Sequence, residues 1–259
     1  MSLHVYTYST SDVKAKYLFE SANVHMLPVE NLATTKEWTG FRDKLSAVHK
    51  KIETLPDTDI VCFLDAYDVI VNADADTILR TFMMTGADIV FGAETNLDPP
   101  SLKSYTYPES STRFRYLNSG AYIGYVHALK SMFTWENYIN CEYDQEYVSR
   151  YFLENYTTKR LFLDTKASFV LNMYKVPWSE LVIEKGLILC PGMSTSSCFL
   201  HFNGMSHMDV NKDYVKQGDV IAYDYTQLYE RTFHALLTTK VMTYQMDVKC
   251  LLTGRGATY

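Results

Sequence analysis

Apolar residues fall in short blocks along this chain, and each block is closed by polar or charged residues. The most decisive block runs from Ile60 to Leu64, with the length and β-branched content of a buried strand. It stops on two acids, Asp65 and Asp68, separated by Ala66 and Tyr67. Upstream, His4 to Ser9 predicts a first strand, Lys14 to Ala22 a helix, and Val24 to Leu27 a second strand. A helix follows over Leu45 to Leu55, broken by Pro56. After Val69 to Val71, a helix is predicted from about Ala73 through Met84, closed near Gly86, and then a strand from Ile89 to Ala93 that ends at Glu94. This alternation is the pattern of an α/β nucleotide-binding sheet.

The second half is less regular. Leu97 to Arg113, rich in proline, serine and threonine, predicts a long loop over the substrate face. In Arg115 to Tyr125, Asn118-Ser119-Gly120 interrupts a strand-like segment, where glycine permits close backbone approach. A helix is predicted over His127 to Ile139, and Cys141 to Gln145 leads into another carrying Tyr147 and Phe152. Leu161 to Asp164 reads as a strand with a terminal acid, continued by Ala167 to Tyr174 in the same sheet or at its edge. Ile183 to Cys190 is an apolar run, Met193 to Cys198 a small polar flap, and Phe199 to Gly204 a strand carrying His201 and Asn203. Tyr223 to Asp247 predicts one or two helices. The expected organisation is a single domain over residues 1–259, with a catalytic core over 1–204 and a helical C-terminal extension over 205–259 that packs on the core or builds a homodimer.

Composition narrows the classes. With 47% hydrophobic and 21% charged residues, the chain can form an ordinary core. A net charge of −6 and a pI near 5.6 argue against nucleic acid as partner. No apolar run has the length of a membrane span. The N-terminus enters a strand pattern without a secretory signal, so the expectation is a cytoplasmic location, or a targeting segment that this sequence does not include. Five scattered cysteines are expected to be reduced thiols.

Carboxylates at the C-terminal end of a central strand lie where open α/β sheets bind ligands. Two such hard oxygen donors suit Mg²⁺ or Mn²⁺, itself bridging substrate phosphates. Thr7 and Ser9, at the end of the first strand, fall near a bound nucleotide, and Lys44 near the start of a helix can reach a diphosphate. A strand histidine such as His201 is more often a core residue than a ligand, and Asp144 and Gln145 can serve simply as helix caps.

Leu64-Asp-Ala-Tyr-Asp-Val-Ile70, Arg115-Tyr-Leu-Asn-Ser-Gly120 with Ile123-Gly124, and His201-Phe-Asn-Gly204 resemble the N-terminal glycosyltransferase domain of the collagen lysyl hydroxylases, grouped with the procollagen galactosyl- and glucosyltransferases. The likeness runs from about His4 to Gly204. It implies a GT-A fold, a Rossmann-like nucleotide-binding sheet flanked by helices. It also implies a UDP-sugar donor and Mn²⁺, with Asp65, Asp68 and His201 as metal ligands. By the same resemblance Tyr67 flanks the uracil, Trp38 belongs to the loop over the donor sugar, Lys44 lies near the nucleotide, and Asn203 and Gly204 line the diphosphate and sugar side. Asn118, Ser119 and Gln145 fall on the donor side.

Two departures stand out. The family's run of aspartates is reduced here to Cys141-Glu-Tyr-Asp144-Gln145, leaving Asp144 as the candidate catalytic carboxylate beside Asp65 and Asp68. The glycine-rich stretch before the family lysine is shortened to Thr39-Gly-Phe-Arg-Asp43. The resemblance implies transfer of a hexose, glucose or galactose, from UDP to a hydroxyl acceptor such as hydroxylysine or a glycan, by a freestanding enzyme of a microbe or large virus. The alternatives are a UDP-sugar-binding accessory protein with little turnover and a nucleotidyltransferase built on the same sheet.

Overall fold

The computed structural model describes residues 1–35, 37–176, 182–184, 187–189 and 196–204. Its central strand is β3 (Ile60–Leu64), every residue of which is buried. On one side β3 pairs in parallel with β1 (Leu3–Thr7), which in turn pairs in parallel with β2 (Glu30–Asn31). On the other side β3 pairs antiparallel with β6 (Tyr116–Tyr125), β6 antiparallel with β5 (Ile89–Glu94), and β5 in parallel with β7 (Leu161–Asp164). The order is β2-β1-β3-β6-β5-β7, and β6 runs against all the others. A second sheet, β4-β11-β8, joins Val69–Val71 (β4), Phe199–His201 (β11) and Val170–Asn172 (β8). Val182–Glu184 (β9) and Leu187–Leu189 (β10) form an antiparallel pair.

Period-two alternation sends β3 into two cores. Val61 and Phe63 pack with Leu45, Val48 and Ile52 of α2 (Arg42–Ile52), with Leu129 and Met132 of α4 (Val126–Phe133), and with Tyr151 and Phe152 of α5 (Asp144–Asn155). Ile60, Cys62 and Leu64 face the opposite core, with Leu18 of α1 (Lys16–Val24) and Ile78 and Phe82 of α3 (Ala75–Thr85). Each fully buried side chain of this kind contributes about 1.5–3 kcal/mol relative to exposure. The helix α3 illustrates the local code: Asp74 caps its N-terminus by accepting from the Thr77 amide at 2.9 Å, and Gly86 ends it at φ 65°.

The α/β architecture expected from the sequence is present, with local differences. The predicted strand at Val24–Leu27 is instead the end of α1 and a turn through Met26 at φ 53°; the partner of β1 is Glu30–Asn31. The helix predicted over His127–Ile139 stops at Phe133, with a separate 3₁₀ turn at Tyr138–Asn140. Val69–Val71 and Val170–Asn172 leave the main sheet for the second one. The Leu97–Arg113 segment does not simply drape over the substrate face, because Leu102 and Tyr107, together with the following Phe114, are buried, and a 3₁₀ turn occupies Pro100–Ser104. Of the Met193–Cys198 flap, Ser196 is half-buried and Ser197 and Cys198 are buried, with the Ser197 hydroxyl donating to the Ala167 carbonyl at 2.5 Å; residues 193–195 lie outside the described residues. The helices predicted between Tyr223 and Asp247, and with them the proposed extension, also lie outside them. Among the described residues Cys62, Cys141 and Cys198 are free thiols, and no helix is long and apolar enough to cross a membrane.

Candidate active site

The two sheets meet where β3 ends. Asp65 follows β3 directly, and its amide donates to the Gly120 carbonyl at 2.7 Å. Asp68 precedes β4, and its carbonyl accepts the Phe202 amide at 2.8 Å, continuing the β4–β11 ladder that pairs Val69 with His201. One ligand atom from each of Asp65, Asp68 and His201 therefore lies within 4.8 Å of the others. His201 Nε2 stands 3.3 Å from Asp68 Oδ2 and 3.8 Å from Asp65 Oδ2.

The surroundings fit a divalent cation. Asn172 of β8 donates through Nδ2 to the Ala93 carbonyl at 2.8 Å, which turns its Oδ1 to His201 Nδ1, also at 2.8 Å. Nδ1 is thereby assigned the proton, and the Nε2 lone pair is left facing two carboxylates, an arrangement that calls for a bound cation or a proton. Burial alone would push the imidazole pKa down, but the charges of Asp68 and Asp65 outweigh it and raise it. Burial raises the Asp65 carboxyl as well, against the Lys44 ammonium. The room for this cluster comes from Gly120: a Cβ there would overlap His201 Cε1 and lie 2.7 Å from Asp65 Oδ2. Gly120 belongs to a bulge, since β6 advances four positions from Asn118 to Tyr122 while β5 advances one, from Gly92 to Phe91.

Lys44, in the first turn of α2, is buried and bridges two acids. Its ammonium lies 2.8 Å from Asp65 Oδ1 and 2.8 Å from Asp144 Oδ2. Burial would lower its pKa, yet Asp144 and Asp65 together hold it above the ordinary lysine value. Asp144, the first residue of α5, also accepts from the Ser119 hydroxyl at 3.3 Å. Expected by spacing as a possible cap, it has instead been carried by α5 into the site, while the following Gln145 accepts the Ser119 amide at 3.2 Å.

Behind these groups sits Glu94, the last residue of β5 and almost fully buried. Three carboxamides converge on it. Asn118 and Gln145 donate to Oε1 at 3.0 and 3.1 Å, and Asn203 donates to Oε2 at 3.0 Å. The amide orientations are fixed elsewhere: Asn118 Oδ1 accepts the Gly120 amide, and Asn203 Oδ1 accepts the Tyr174 amide, both at 3.0 Å. Burial pushes the Glu94 carboxyl up to about 7. Glu94 and Asn172 are absent from the residues singled out by sequence. Glu94 had the same signal as Asp65, an acid closing an apolar strand; Asn172 had none beyond its place at the end of a short strand.

A cleft runs past all of these. One compartment of about 410 Å³ is lined by Tyr8, Thr10, Lys14, Trp38, Phe41, Tyr67, Asp65 and Asp68. A second, of about 160 Å³, is lined by Lys44, Asp65, Asp68, Ser119, Asp144, His201 and Gly204. A third, of about 250 Å³, lies between Glu94, Asp98, Tyr174 and Asn203. A larger hollow of about 580 Å³ between β2 and α2 holds none of the clustered acids around His201. Trp38 and Tyr67 both line the first compartment, where the Tyr67 hydroxyl meets the Thr10 amide and hydroxyl at 3.1 Å. Thr7 and Ser9 do not line it. The Thr7 hydroxyl donates to the Leu64 carbonyl at 2.7 Å and the Ser9 hydroxyl to the Ser11 carbonyl at 2.9 Å, while Tyr8 and Thr10, in the turn after β1, line the compartment.

The chain matches the model of the PLOD GT domain over residues 1–220. It is 29% identical over 231 residues to a procollagen-lysine,2-oxoglutarate 5-dioxygenase of Drosophila melanogaster, covering 81% of this chain and 31% of that protein. It is 28% identical over 235 residues to the human multifunctional procollagen lysine hydroxylase and glycosyltransferase LH3, covering 83% of this chain and 32% of the relative. The uncharacterized protein R699 of Acanthamoeba polyphaga mimivirus is 27% identical over 200 residues, 71% of this chain and 43% of that one. The chain thus spans roughly a third of the length of its fly and human relatives. Among solved structures, the galactosyltransferase LgtC in complex with donor and acceptor sugar analogs aligns at a TM-score of 0.48 and 11% identity, over 92% of this chain and 96% of that one. A match over residues 1–220 takes in the metal-type triad, Lys44, Asp144 and Glu94 alike, and this chain belongs to the family of PLOD glycosyltransferase domains.

Proposed function

We propose that this protein transfers a hexose, glucose or galactose, from a UDP-sugar to a hydroxyl acceptor on a protein or glycan, in a reaction that depends on Mn²⁺ or Mg²⁺. The observation that carries this is the convergence of Asp65, Asp68 and His201 at the end of the central strand, in a chain of glycosyltransferase family. Two carboxylates and one imidazole suit Mn²⁺ and leave positions for diphosphate oxygens. A divalent ion held there supplies Lewis-acid stabilisation of the departing diphosphate.

The chain's own groups do the rest. Trp38 and Tyr67 offer aromatic surface to a nucleobase in the 410 Å³ compartment. Lys44 remains charged, orients Asp65 through one carboxylate oxygen and leaves the other oxygen toward His201. Asp144, held through Oδ2 by Lys44 and Ser119, keeps Oδ1 for the reacting centre. In the transfer, the bond between the anomeric carbon and the diphosphate oxygen breaks with its electron pair going to UDP. The acceptor oxygen bonds to that carbon and passes its proton to the departing diphosphate oxygen, and Asp144 steadies positive charge at the carbon. Burial of the cluster strengthens each of these interactions relative to water.

The test is UDP release from a panel of UDP-sugars with Mn²⁺, with and without a hydroxylysine peptide or a glycoside. Acceptor-stimulated release from one UDP-hexose supports the proposal. Metal-dependent UDP binding with no release from any donor would favour an accessory binding protein, and pyrophosphate formation would favour a nucleotidyltransferase.

A further inference from the structure

Two aromatic rings stand at the reacting centre without a part in the chemistry above. Phe41 immediately precedes α2 and Tyr143 immediately precedes α5, the helices whose first turns supply Lys44 and Asp144. The Lys44–Asp144 ion pair ties these two helix starts together, and the rings meet with centroids 5.7 Å apart and planes 38° from parallel. Trp38 abuts Phe41 edge to face at 5.6 Å, so the pair continues the aromatic wall of the nucleobase compartment toward Asp144. Backbone contacts hold both positions. The Phe41 carbonyl accepts the Lys44 amide at 3.2 Å, and the Tyr143 carbonyl accepts the Cys141 thiol at 2.6 Å. Yet Phe41 is 39% and Tyr143 44% exposed, which leaves fixed apolar surface open beside buried charges.

What such a surface takes follows from the charges already in contact with it. The Lys44 ammonium lies 5.4 Å from the centre of the Phe41 ring, so that ring already serves one cation and offers a second little. The acids beside Tyr143 in sequence turn elsewhere. Glu142 and Glu146 line a separate hollow of about 370 Å³ with Arg150, whereas Tyr143 lines the middle compartment with Asp144. Within that compartment Asp65 and Asp144 are held by Lys44 and Asp68 by His201, and Asp98 is the exposed carboxylate, open to hydroxyl donors. We infer that Phe41 and Tyr143 seat the acceptor, and that the acceptor is a neutral saccharide lying with the C–H face of its ring on theirs. A pyranose combines that apolar face with a rim of hydroxyls, one of which then reaches Asp144. Tyr143 is the specificity-determining residue, and an ammonium-bearing peptide side chain is the acceptor this wall favours less. The inference rests on the proposed glycosyl transfer and, of its two acceptor classes, selects the glycan.

Acceptor kinetics test it. Transfer from UDP-glucose and UDP-galactose with Mn²⁺ is measured to methyl glycosides of glucose, galactose, mannose and xylose and to a hydroxylysine peptide, in the wild type, Tyr143→Ala and Tyr143→Phe. The wild type is expected to use at least one glycoside with a higher kcat/KM than the peptide. Tyr143→Ala raises the KM for that glycoside about ten-fold and the donor KM less than two-fold, and Tyr143→Phe restores the wild-type value. Transfer to the peptide with none to any glycoside overturns the inference and leaves the function intact. So does a Tyr143→Ala enzyme with an unchanged acceptor KM, or one whose donor KM rises as much as its acceptor KM. A Tyr143→Phe enzyme as impaired as Tyr143→Ala also overturns it, because the hydroxyl rather than the ring face would then be the contact. No UDP release from either donor with any acceptor overturns the functional proposal and this inference with it.

Discussion

Single atoms decide the chemistry of this site. Gly120 is the clearest case, since any side chain there intrudes on both His201 and Asp65. Gly120→Ala is expected to weaken Mn²⁺ binding about 10–100-fold, as disturbance of a metal site's supporting shell does, while the fold survives; Mn²⁺ titration followed by electron paramagnetic resonance, alongside circular dichroism, checks both parts. Lys44 neutralises two buried acids at once. Lys44→Met leaves those charges facing each other and is expected to destabilise the protein by about 3–5 kcal/mol in the metal-free state, measured by urea unfolding, with part of the loss restored by Mn²⁺. At this scale the sequence was informative at Asp65, an acid closing a buried strand, although the same pattern at Glu94 did not set that residue apart. It was silent where a role depends on distant partners. Asn172 matters because Ala93 and His201 lie on either side of its amide, and no spacing encodes that.

Elements place these atoms, and small turns hold the elements. The Asp164 carboxylate, at the end of β7, accepts the backbone amides of Ser168, Phe169 and Val170 at 2.7–3.1 Å, fixing the turn that launches β8. Since β8 carries Asn172 and pairs with β11, this turn stands behind His201. Asp164→Ala strands three amides and is expected to cost on the order of 3 kcal/mol, read from the shift in the urea midpoint. The terminal acid was visible in the sequence, but its role as a turn clamp rather than a ligand was not. Short apolar runs were the least legible elements. Val24–Leu27 has strand-like content, yet α1 extends to Val24 and Leu27 is buried from a turn, because a run this short carries no period to separate strand from helix end. The long runs, Ile60–Leu64 and Ile89–Glu94, form strands as read.

The molecule as a whole joins two sheets so that three segments distant in sequence, at residues 65–68, 144 and 201, face one cleft. The family resemblance carried that convergence, since propensity alone gives strands and helices without their meeting point. Burial of acids at the junction has a global consequence. Burial pushes the Glu94 carboxyl up to about 7 in the folded chain from an ordinary value of 4.5, opposed by its amide partners and His201 and assisted by Asp98. The folded state therefore binds more protons than the unfolded state between these values. The stability contributed by Glu94 is full below about pH 4.5 and is lost as pH rises to about 7. Unfolding free energies in metal-free buffer should show this slope, and Glu94→Gln should flatten it. The central claim, a metal-dependent nucleoside diphosphate site built on Asp65, Asp68 and His201, is tested most directly by calorimetric titration of UDP with and without Mn²⁺, in the wild type and in Asp68→Ala. Binding that requires Mn²⁺ in the wild type and vanishes in a folded Asp68→Ala protein is the predicted result. UDP binding of equal strength in both proteins, or without any metal, would contradict it.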